Sequence, residues 1–160
     1  MEKRLTVIYH LIPTRIMLDS HEKELVEQAE LAAGNAYAPY SGFKVGAAVR
    51  LTNGLTITGN NQENAAFPSS ICAEQVAIAY ARANYPGTAI VMIAIVASTA
   101  NGTITDPVTP CGNCRQVLLE VEQSGEKPIV MLCAGKEKTL RFTSIQSLMP
   151  LSFSEKYLKM

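Results

Sequence analysis

The spacing of apolar residues predicts where the first helix lies and which of its faces is buried. The helix is predicted to begin near Asp19 or Ser20, because Asp19 and Glu22 fit a capping box. It is predicted to end before Pro39, since proline cannot continue a helix. Apolar residues at helical spacing define the face that should pack on the core: Leu25, Ala29, Ala32, Ala33 and Ala36.

Several apolar stretches have the length and composition of β-strands. They lie at 44–51, 55–59, 89–97, 127–134 and 139–143. Asn53-Gly54, between the first two, is typical of a tight hairpin turn. The third stretch is continuously apolar, as expected of a central strand that is covered on both faces.

Two further helices are predicted at 72–84 and 111–123. The first is apolar on most faces, so it is expected to be buried. The order helix, hairpin, helix, strand, helix, strand predicts an α/β fold, a three-layer α/β/α sandwich with a mixed sheet of about five strands. Residues 1–18 are interpreted as an N-terminal extension, and residues 19–160 as a single domain.

Composition and charge exclude several classes of partner. The chain has 160 residues, 48% of them apolar, and a formal net charge of zero. No basic stretch could follow a phosphate backbone, so no nucleic-acid partner is expected. No apolar run could span a bilayer, so no membrane partner is expected either. Residues 5–12 are apolar but lack the cleavage site of a signal peptide, which favours a cytoplasmic protein with reduced thiols.

The strongest chemical signal is Cys72-Ala73-Glu74 followed by Pro110-Cys111-Gly112-Asn113-Cys114. Each motif opens a predicted helix, where the helix dipole lowers the pKa of a thiol. Three thiols can hold one zinc ion and leave its fourth position open, which is the arrangement of catalytic rather than structural sites. With a nearby carboxylate, this is the Cys₃ form of the zinc nucleobase-deaminase signature.

Two other interpretations of the cysteines remain open. The chain has four cysteines, which could form two disulfides, although a cytoplasmic domain of this size does not need them. Cys133 could instead complete a closed four-thiol zinc site, but its place in an apolar stretch favours a buried strand residue. His10 and His21 lie far along the chain from the thiol motifs, so a histidine ligand is not expected.

Two charged residues are candidates for roles beside the metal. Glu74 could move the protons of the attacking water, or it could simply be an acidic residue at a helix N-terminus. Zinc with three thiolates is an anionic centre, which would raise the pKa of a bound water. Arg115, directly after Cys114, is the candidate to offset that charge, with an ordinary surface arginine as the alternative.

These residues resemble those of the small, homotetrameric, zinc-dependent cytidine deaminases over roughly residues 22–154. Several motifs carry the resemblance in one order. They are Tyr37-Ala38-Pro39-Tyr40-Ser41, Phe43-Lys44-Val45-Gly46-Ala47-Ala48, Gly59-Asn60-Asn61-Gln62-Glu63-Asn64-Ala65, Cys72-Ala73-Glu74, Pro110-Cys111-Gly112-Asn113-Cys114-Arg115-Gln116-Val117-Leu118 and Pro150-Leu151-Ser152-Phe153.

The resemblance implies hydrolysis of cytidine and 2′-deoxycytidine to the uridines with release of ammonia, a step of pyrimidine salvage. In this family Asn61 and Glu63 match positions that hold a ribose hydroxyl, and Phe43 matches a position that lines the pyrimidine pocket. Phe153 matches an aromatic that a neighbouring subunit packs on the base. The implied substrate contacts are Phe43, Asn61, Glu63, Ala65, Ala73 and Phe153.

The sequence departs from the family pattern at two positions. Gln75 replaces an arginine that usually hydrogen-bonds the zinc thiolates, and Phe67 replaces a tyrosine. Blasticidin S deaminases also lack that arginine, so a modified cytosine nucleoside is an alternative substrate. A zinc-stabilised homologue without catalysis is a further alternative, although the intact Glu74 argues against it. A polynucleotide deaminase is disfavoured because the chain has no basic patch.

Overall fold

Seven strands form one sheet, and helices cover both of its faces. The structure is a computed structural model that describes residues 1–158. The strands are β1 (His10–Ile12), β2 (Lys44–Leu51), β3 (Thr56–Asn60), β4 (Ile90–Thr99), β5 (Gly102–Thr103), β6 (Val130–Ala134) and β7 (Thr139–Phe142). The α-helices are α1 (Ser20–Gly34), α2 (Ala73–Asn84) and α3 (Gly112–Ser124). Short 3₁₀ turns occupy Arg15–Met17, Phe67–Ser69, Ile145–Leu148 and Glu155–Tyr157.

The sheet is mixed, in the order β1-β7-β6-β4-β2-β3, with β5 beside β4. Strands β4 and β6 are parallel, and the other strand pairs of the described chain are antiparallel. The predicted α/β class is therefore confirmed, with seven strands rather than about five. The two additional strands, β1 and β5, have three and two residues and are too short to give a periodic pattern.

The local signals set most element boundaries correctly. Asn53-Gly54 forms the turn of the β2–β3 hairpin, where Gly54 has a φ of 87° that side chains disfavour. Strand β6 begins at Val130, later than the predicted start at residue 127. Pro128 explains the difference, because proline has no N–H for the ladder.

Helix α1 covers one face of the sheet and begins with the predicted capping box. The Asp19 carboxylate accepts from the N–H of Glu22 at 2.8 Å, and the Glu22 side chain accepts from the N–H of Asp19 at 3.4 Å. The buried Glu22 also pairs with Arg141 on β7 at 2.6 Å, which ties the helix to the sheet. The core on this face contains Leu18, Leu25, Val26, Ala29, Ala48, Ala94, Val96, Leu132 and Ala134.

Helices α2 and α3 cover the opposite face, over the larger core cluster. The expectation that α2 is buried on most faces is wrong for the single chain. One face is buried, whereas Ala79 and Ala83 are exposed and Tyr80 is 54% exposed. Apolar residues on a helix therefore do not by themselves say how many of its sides have a packing partner.

Glycines in β2 and β3 let helices α1 and α2 approach the sheet closely. A Cβ on Gly59 of β3 would lie 2.6 Å from the carbonyl oxygen of Ala73 and 2.5 Å from the nitrogen of Ala77. A Cβ on Gly46 of β2 would lie 1.9 Å from the carbonyl oxygen of Ala29 in α1. Strand β3 is thus in direct backbone contact with the first turn of α2.

Part of the segment interpreted as an extension belongs to the sheet. Strand β1 pairs with β7, and Leu11 lies opposite Leu140. Arg15 donates to the carbonyl of Gly135 at 2.7 Å and pairs with Glu30 at 2.8 Å. The predicted end of the domain at residue 160 lies outside the described residues. None of the helices within residues 1–158 has the length and apolarity that crossing a membrane requires.

Candidate metal centre and active site

Two helix starts bring three thiols together. Cys72 is the N-cap of α2, Cys111 is the N-cap of α3, and Cys114 lies in the first turn of α3. Their Sγ atoms all lie within 4.8 Å of one another. The structure thus joins the two cysteine motifs, which are far apart in sequence, at one end of the α2–α3 layer.

The donor set fits a single zinc ion. Thiolates are soft ligands that suit Zn²⁺, and three of them leave one coordination position open. All four cysteines are free thiols, so the two-disulfide alternative is not supported. Among the described residues the metal-binding group contains three thiols and does not include Cys133. Cys133 is buried in β6, where burial, with the nearby Glu74 charge, raises its pKa to about 12.

The three thiols differ in how readily they ionise. Burial opposes ionisation of Cys111, but hydrogen bonds that include the N–H groups of Cys114 and Asn113 outweigh it and lower its pKa. Burial raises the pKa of Cys72 and of Cys114, and the charge of Glu74 adds to both effects. The expected lowering by helix N-termini therefore holds at Cys111, while desolvation dominates at the other two thiols.

Glu74 lies in the first turn of α2 beside the thiols and is 4% exposed. Burial raises the pKa of its carboxyl group, and a hydrogen bond with Cys114 opposes that shift. A carboxyl group whose pKa is raised toward neutrality is suited to taking up and releasing protons. Its depth next to the metal-binding group distinguishes it from an exposed acidic residue at a helix start.

The side-chain amide of Gln75 contacts the Cys114 thiol, a contact that sequence reasoning missed. Its Nε2 atom lies 3.9 Å from Cys114 Sγ, within hydrogen-bond range for sulfur. Arg115 instead donates through Nε to the carbonyl of Pro110 at 2.8 Å and through a terminal nitrogen to the Thr109 hydroxyl at 3.2 Å. These hydrogen bonds fix the segment that precedes Cys111. The charge-balancing role of Arg115 stays a prediction.

A cleft of about 430 Å³ opens beside Cys72, whereas Cys111, Cys114 and Glu74 are not among its lining residues. It is lined by Tyr40, Ser41, Asn61, Gln62, Glu63, Phe67, Ser70, Ile71 and Cys72. Cys72 lies at one end, and Asn61 and Glu63 follow strand β3. A second cavity of about 350 Å³, between the far ends of α2 and α3, contains none of the predicted site residues.

The polar side chains of this cleft are held in fixed positions. Asn61 accepts from the N–H of Val45 at 2.7 Å and donates to the carbonyl of Phe43 at 2.9 Å. Glu63 accepts from the N–H of Tyr40 at 2.8 Å and from the hydroxyl and N–H of Ser41. These hydrogen bonds, chiefly the one from the Ser41 hydroxyl, lower the pKa of Glu63. The cleft therefore presents an ionised carboxylate beside a fixed amide.

The other predicted substrate contacts do not line the cleft. Ala73 is fully buried as the first residue of α2, and Phe43 is half-buried where β2 begins. Ala65 is exposed in the loop after β3, and Phe153 is 58% exposed. Phe67 does line the cleft, 72% exposed, with its ring edge-on to Tyr40 at 6.1 Å. The cleft thus brings Asn61 and Glu63 together with one thiol, Cys72, and does not include the full predicted set of substrate contacts.

Comparison with known proteins identifies zinc-binding deaminases as relatives along most of the chain. A family model described as the cytidine and deoxycytidylate deaminase zinc-binding region matches residues 19–132. The chain is 34% identical over 134 residues to a cytidine deaminase of Sporosarcina psychrophila, covering 83% of this chain and 91% of that protein. It is 42% identical over 99 residues to a cytidine deaminase of Halalkalibacterium halodurans, covering 61% of this chain and 69% of that protein.

Solved structures share the fold as well as the sequence pattern. The crystal structure of cytidine deaminase from Burkholderia pseudomallei superposes with a TM-score of 0.69 at 36% identity, covering 85% of this chain and 100% of that one. The enzyme from Mycobacterium tuberculosis gives 0.66 at 30% identity, covering 85% and 99%. With its three convergent thiols and buried glutamate, the chain belongs to the zinc-binding cytidine and deoxycytidylate deaminase family.

Proposed function

We propose that the protein hydrolyses cytidine and 2′-deoxycytidine to uridine and 2′-deoxyuridine and releases ammonia, as a step of pyrimidine salvage. The observation that carries this proposal is the convergence of Cys72, Cys111 and Cys114 beside the buried Glu74, with Cys72 also lining a cleft of nucleoside size. The relatives named above are cytidine deaminases, which supports the same reaction.

In the proposed mechanism the thiols hold one zinc ion, which when bound acts as a Lewis acid and lowers the pKa of water. The Glu74 carboxylate takes a proton from the attacking water and transfers it to the ring nitrogen of cytosine. It then takes the second proton from the water-derived hydroxyl and delivers it to the amino group. The C4–N bond breaks, ammonia leaves, and the water oxygen remains as the carbonyl of uracil.

At the other end of the cleft, Asn61 and Glu63 hold a ribose hydroxyl. Hydrogen bonds from Ser41 and Tyr40 lower the pKa of Glu63, so it is an ionised acceptor to which a ribose hydroxyl would add a further donor. A site built to bind a hydroxyl rejects ligands that lack it. The described residues that line the cleft include no lysine or arginine, and Glu63 would repel a phosphate. An uncharged nucleoside therefore fits better than a nucleotide.

Phe43, Ala65, Ala73 and Phe153 complete the proposed substrate contacts, and in a homotetramer the exposed Phe153 would reach the cleft of a neighbouring subunit. Tyr80 on the free side of α2 and Phe153 near the C-terminus are exposed apolar residues that subunit contacts could bury. We propose a cytoplasmic enzyme without a nucleic-acid partner. Light scattering on an active sample tests the assembly, and a mass equal to one chain would contradict it.

A modified cytosine nucleoside, such as blasticidin S, is the second candidate substrate. The contact of Gln75 with Cys114 favours it, because a neutral donor lies where the family pattern that the sequence resembles has an arginine. The ionised carboxylate of Glu63, where the ribose is proposed to bind, favours cytidine. A non-catalytic zinc-stabilised homologue is the third possibility, and the buried Glu74 argues against it.

The deciding experiment follows the loss of cytidine absorbance with purified protein whose zinc content has been measured. The proposal expects turnover of cytidine and 2′-deoxycytidine with kcat/KM above that for blasticidin S. The Glu74→Gln protein is the matched control for contaminating activity. A higher kcat/KM for blasticidin S would favour the second substrate. A zinc-loaded protein that turns over none of the three would be the non-catalytic homologue.

A further inference from the structure

We infer that Gln116 and Tyr157 are positioning residues that hold the backbone and the ring of Phe153 for stacking on the pyrimidine. Gln116 Nε2 donates to the carbonyl oxygen of Phe153 at 3.1 Å. The ring of Tyr157 stacks on the ring of Phe153 with centroids 5.8 Å apart and planes at 19°. The inference rests on the proposed function, which places a cytosine ring against Phe153.

The C-terminal segment runs back along α3 toward the metal centre. Its start is held near the C-terminal end of α3 by the buried Glu122. That carboxylate accepts from the Ser144 hydroxyl at 2.7 Å and from the N–H groups of Ile145 at 2.8 Å and Gln146 at 3.1 Å. Gln116 binds Phe153 near the other end of the helix, in the turn that follows Cys114. The segment is therefore anchored at both ends of α3.

Gln116 fixes where Phe153 sits without covering its ring. Its amide reaches a backbone carbonyl, so the contact does not depend on which side chain Phe153 carries. The neighbouring Ser154 is 7% exposed, which anchors the backbone again, while Phe153 stays 58% exposed. The ring thus remains available to a planar ligand.

Tyr157 sets the plane of the Phe153 ring. The 3₁₀ turn Glu155–Tyr157 brings residue 157 back toward residue 153, and the N–H of Tyr157 donates to the carbonyl of Ser154 at 3.1 Å. Lys156 Nζ lies 4.9 Å from the centroid of the Tyr157 ring, a cation–π contact that favours this ring position. Tyr157 supports one face of Phe153, and the opposite face can accept a base.

Loss of either positioning residue should weaken base binding and leave the chemistry unchanged. Aromatic pairs contribute enough that removing one predicts a roughly two- to tenfold rise in KM for cytidine. The value of kcat at saturating cytidine and the zinc content should not change, because neither residue belongs to the thiol cluster.

Four variants of the full-length, zinc-loaded enzyme test the inference. Gln116→Met and Tyr157→Ala should raise KM and weaken binding of uridine measured by calorimetry. Tyr157→Phe keeps the ring and should keep the wild-type KM. Gln123→Met, two turns further along α3, is the control for side-chain loss on this helix. In a Phe153→Ala background, Gln116→Met and Tyr157→Ala should have no further effect, because their action passes through the missing ring.

A second measurement does not depend on turnover. Fluorine NMR of protein labelled with 4-fluorophenylalanine gives a Phe153 signal, assigned with Phe153→Leu among the four phenylalanines of the chain. Gln116→Met and Tyr157→Ala should shift or sharpen that signal, and Gln123→Met should not. An unchanged signal would overturn the positioning roles. If the two variants change the signal but the wild-type protein neither binds uridine nor deaminates cytidine, the positioning roles would hold, whereas the proposed function would be contradicted and the link to substrate overturned. Unchanged KM in both variants of an active enzyme would overturn that link alone.

Discussion

The side-chain amide of Gln75 lies 3.9 Å from the sulfur of Cys114. An amide donor stabilises a thiolate through a hydrogen bond but adds no positive charge, whereas a charged donor gives roughly twice the hydrogen-bond strength. The metal centre of this chain therefore relies on a neutral donor at its most deeply buried thiol. The remaining negative charge must be offset from further away, and Arg115 is the cation that follows that thiol in sequence.

Replacing Gln75 with arginine should preserve turnover and slow the loss of zinc to a chelator. A cation at this position would lower the charge of the thiol cluster, and partners of metal ligands typically change metal affinity by about 10–100-fold. The measurement is the rate of zinc release to a chromogenic chelator, with kcat in parallel. Faster release from the Gln75→Arg protein would contradict the charge argument.

The companion change, Arg115→Gln, tests the contribution of the Arg115 charge separately from that of the Gln75 amide. It should speed zinc release by about tenfold or more and lower kcat. Because Arg115 also braces Pro110 and Thr109, Arg115→Lys serves as the control that keeps the charge and weakens the brace. An Arg115→Gln enzyme with an unchanged rate and unchanged zinc retention would show that hydrogen bonds to the sulfurs alone balance the site.

Glu74→Gln should keep its zinc and its fold and lose nearly all turnover. The amide fills the same buried space but cannot transfer protons, and general acid–base groups contribute about 10²–10⁴-fold. Single-turnover rates and metal analysis on one sample are the measurements. If the variant retained more than about a tenth of the wild-type kcat, Glu74 would be a structural residue of the helix start.

Cys111→Ala should lose most of its zinc and much of its thermal stability, because binding of a structural or catalytic metal stabilises the folded state. Cys133→Ala is the matched control, since it removes a buried thiol that lies outside the metal-binding group. Metal analysis after dialysis against chelator distinguishes the two variants. Full zinc occupancy in the Cys111→Ala protein would rule out the assigned ligand set.

Gly59→Ala should displace the first turn of α2 and lower kcat/KM. The new Cβ would meet the carbonyl oxygen of Ala73, which lies between Cys72, a proposed zinc ligand, and Glu74. A displacement of about 1 Å at reacting groups can cost on the order of 10²-fold in rate.

Gly46→Ala is the control, because it crowds α1 on the opposite face of the sheet. Both variants should melt at lower temperature, since overpacking typically costs about 1–3 kcal/mol. Only Gly59→Ala should also release zinc faster. Equal kcat/KM values for the two folded variants would show that the α2 contact does not set the site geometry.

Glu30→Gln should lower the melting temperature at neutral pH, with a difference from wild type that shrinks in acid. Burial opposes ionisation of Glu30, but hydrogen bonds from Thr103 and Arg15 and the Arg15 charge lower its pKa below the ordinary 4.5. A lowered pKa contributes stability that is present above 4.5 and is lost as pH falls through the folded-state value. Thermal melts across that range are the measurement, with the exposed Glu27→Gln as control. A difference that persists unchanged below pH 4.5 would contradict the linkage.

The features that could be predicted from the sequence are those with a local physical cause. The Asp19–Glu22 capping box and the Asn53-Gly54 turn depend on residues only a few positions apart, and both occur. The convergence of the thiols could be predicted because the two motifs open helices and share one chemistry. Strand β1 could not be predicted in this way. Its three residues are mostly exposed, and they form a strand only by pairing with β7 at the edge of the sheet.

Contacts that depend on how one helix is rotated against another could not be predicted from the sequence either. The rotation of α2 decides that Gln75 faces Cys114, and the path of the loop before α3 decides that Arg115 turns to Pro110. The apolar pattern of α2 likewise does not distinguish a face that packs on the sheet from one that is free in the single chain. Each of these outcomes is set by packing between distant segments.

The parallel pairing of β4 with β6 has a consequence for the connection that leads to α3. Parallel neighbours need a crossover connection, and such crossovers are right-handed in nearly all proteins. Connectivity therefore places the start of α3, with Cys111, beyond the carboxyl end of β4. Residues 104–107 of this connection pack against the turn after β6: the N–H of Lys136 donates to the carbonyl of Ile104 at 2.8 Å, and a Cβ on Gly135 would lie 2.3 Å from the carbonyl oxygen of Thr105. The chain that leads to the helix start at Cys111 is therefore positioned by a turn distant in sequence, and a bulkier residue in that turn would displace it.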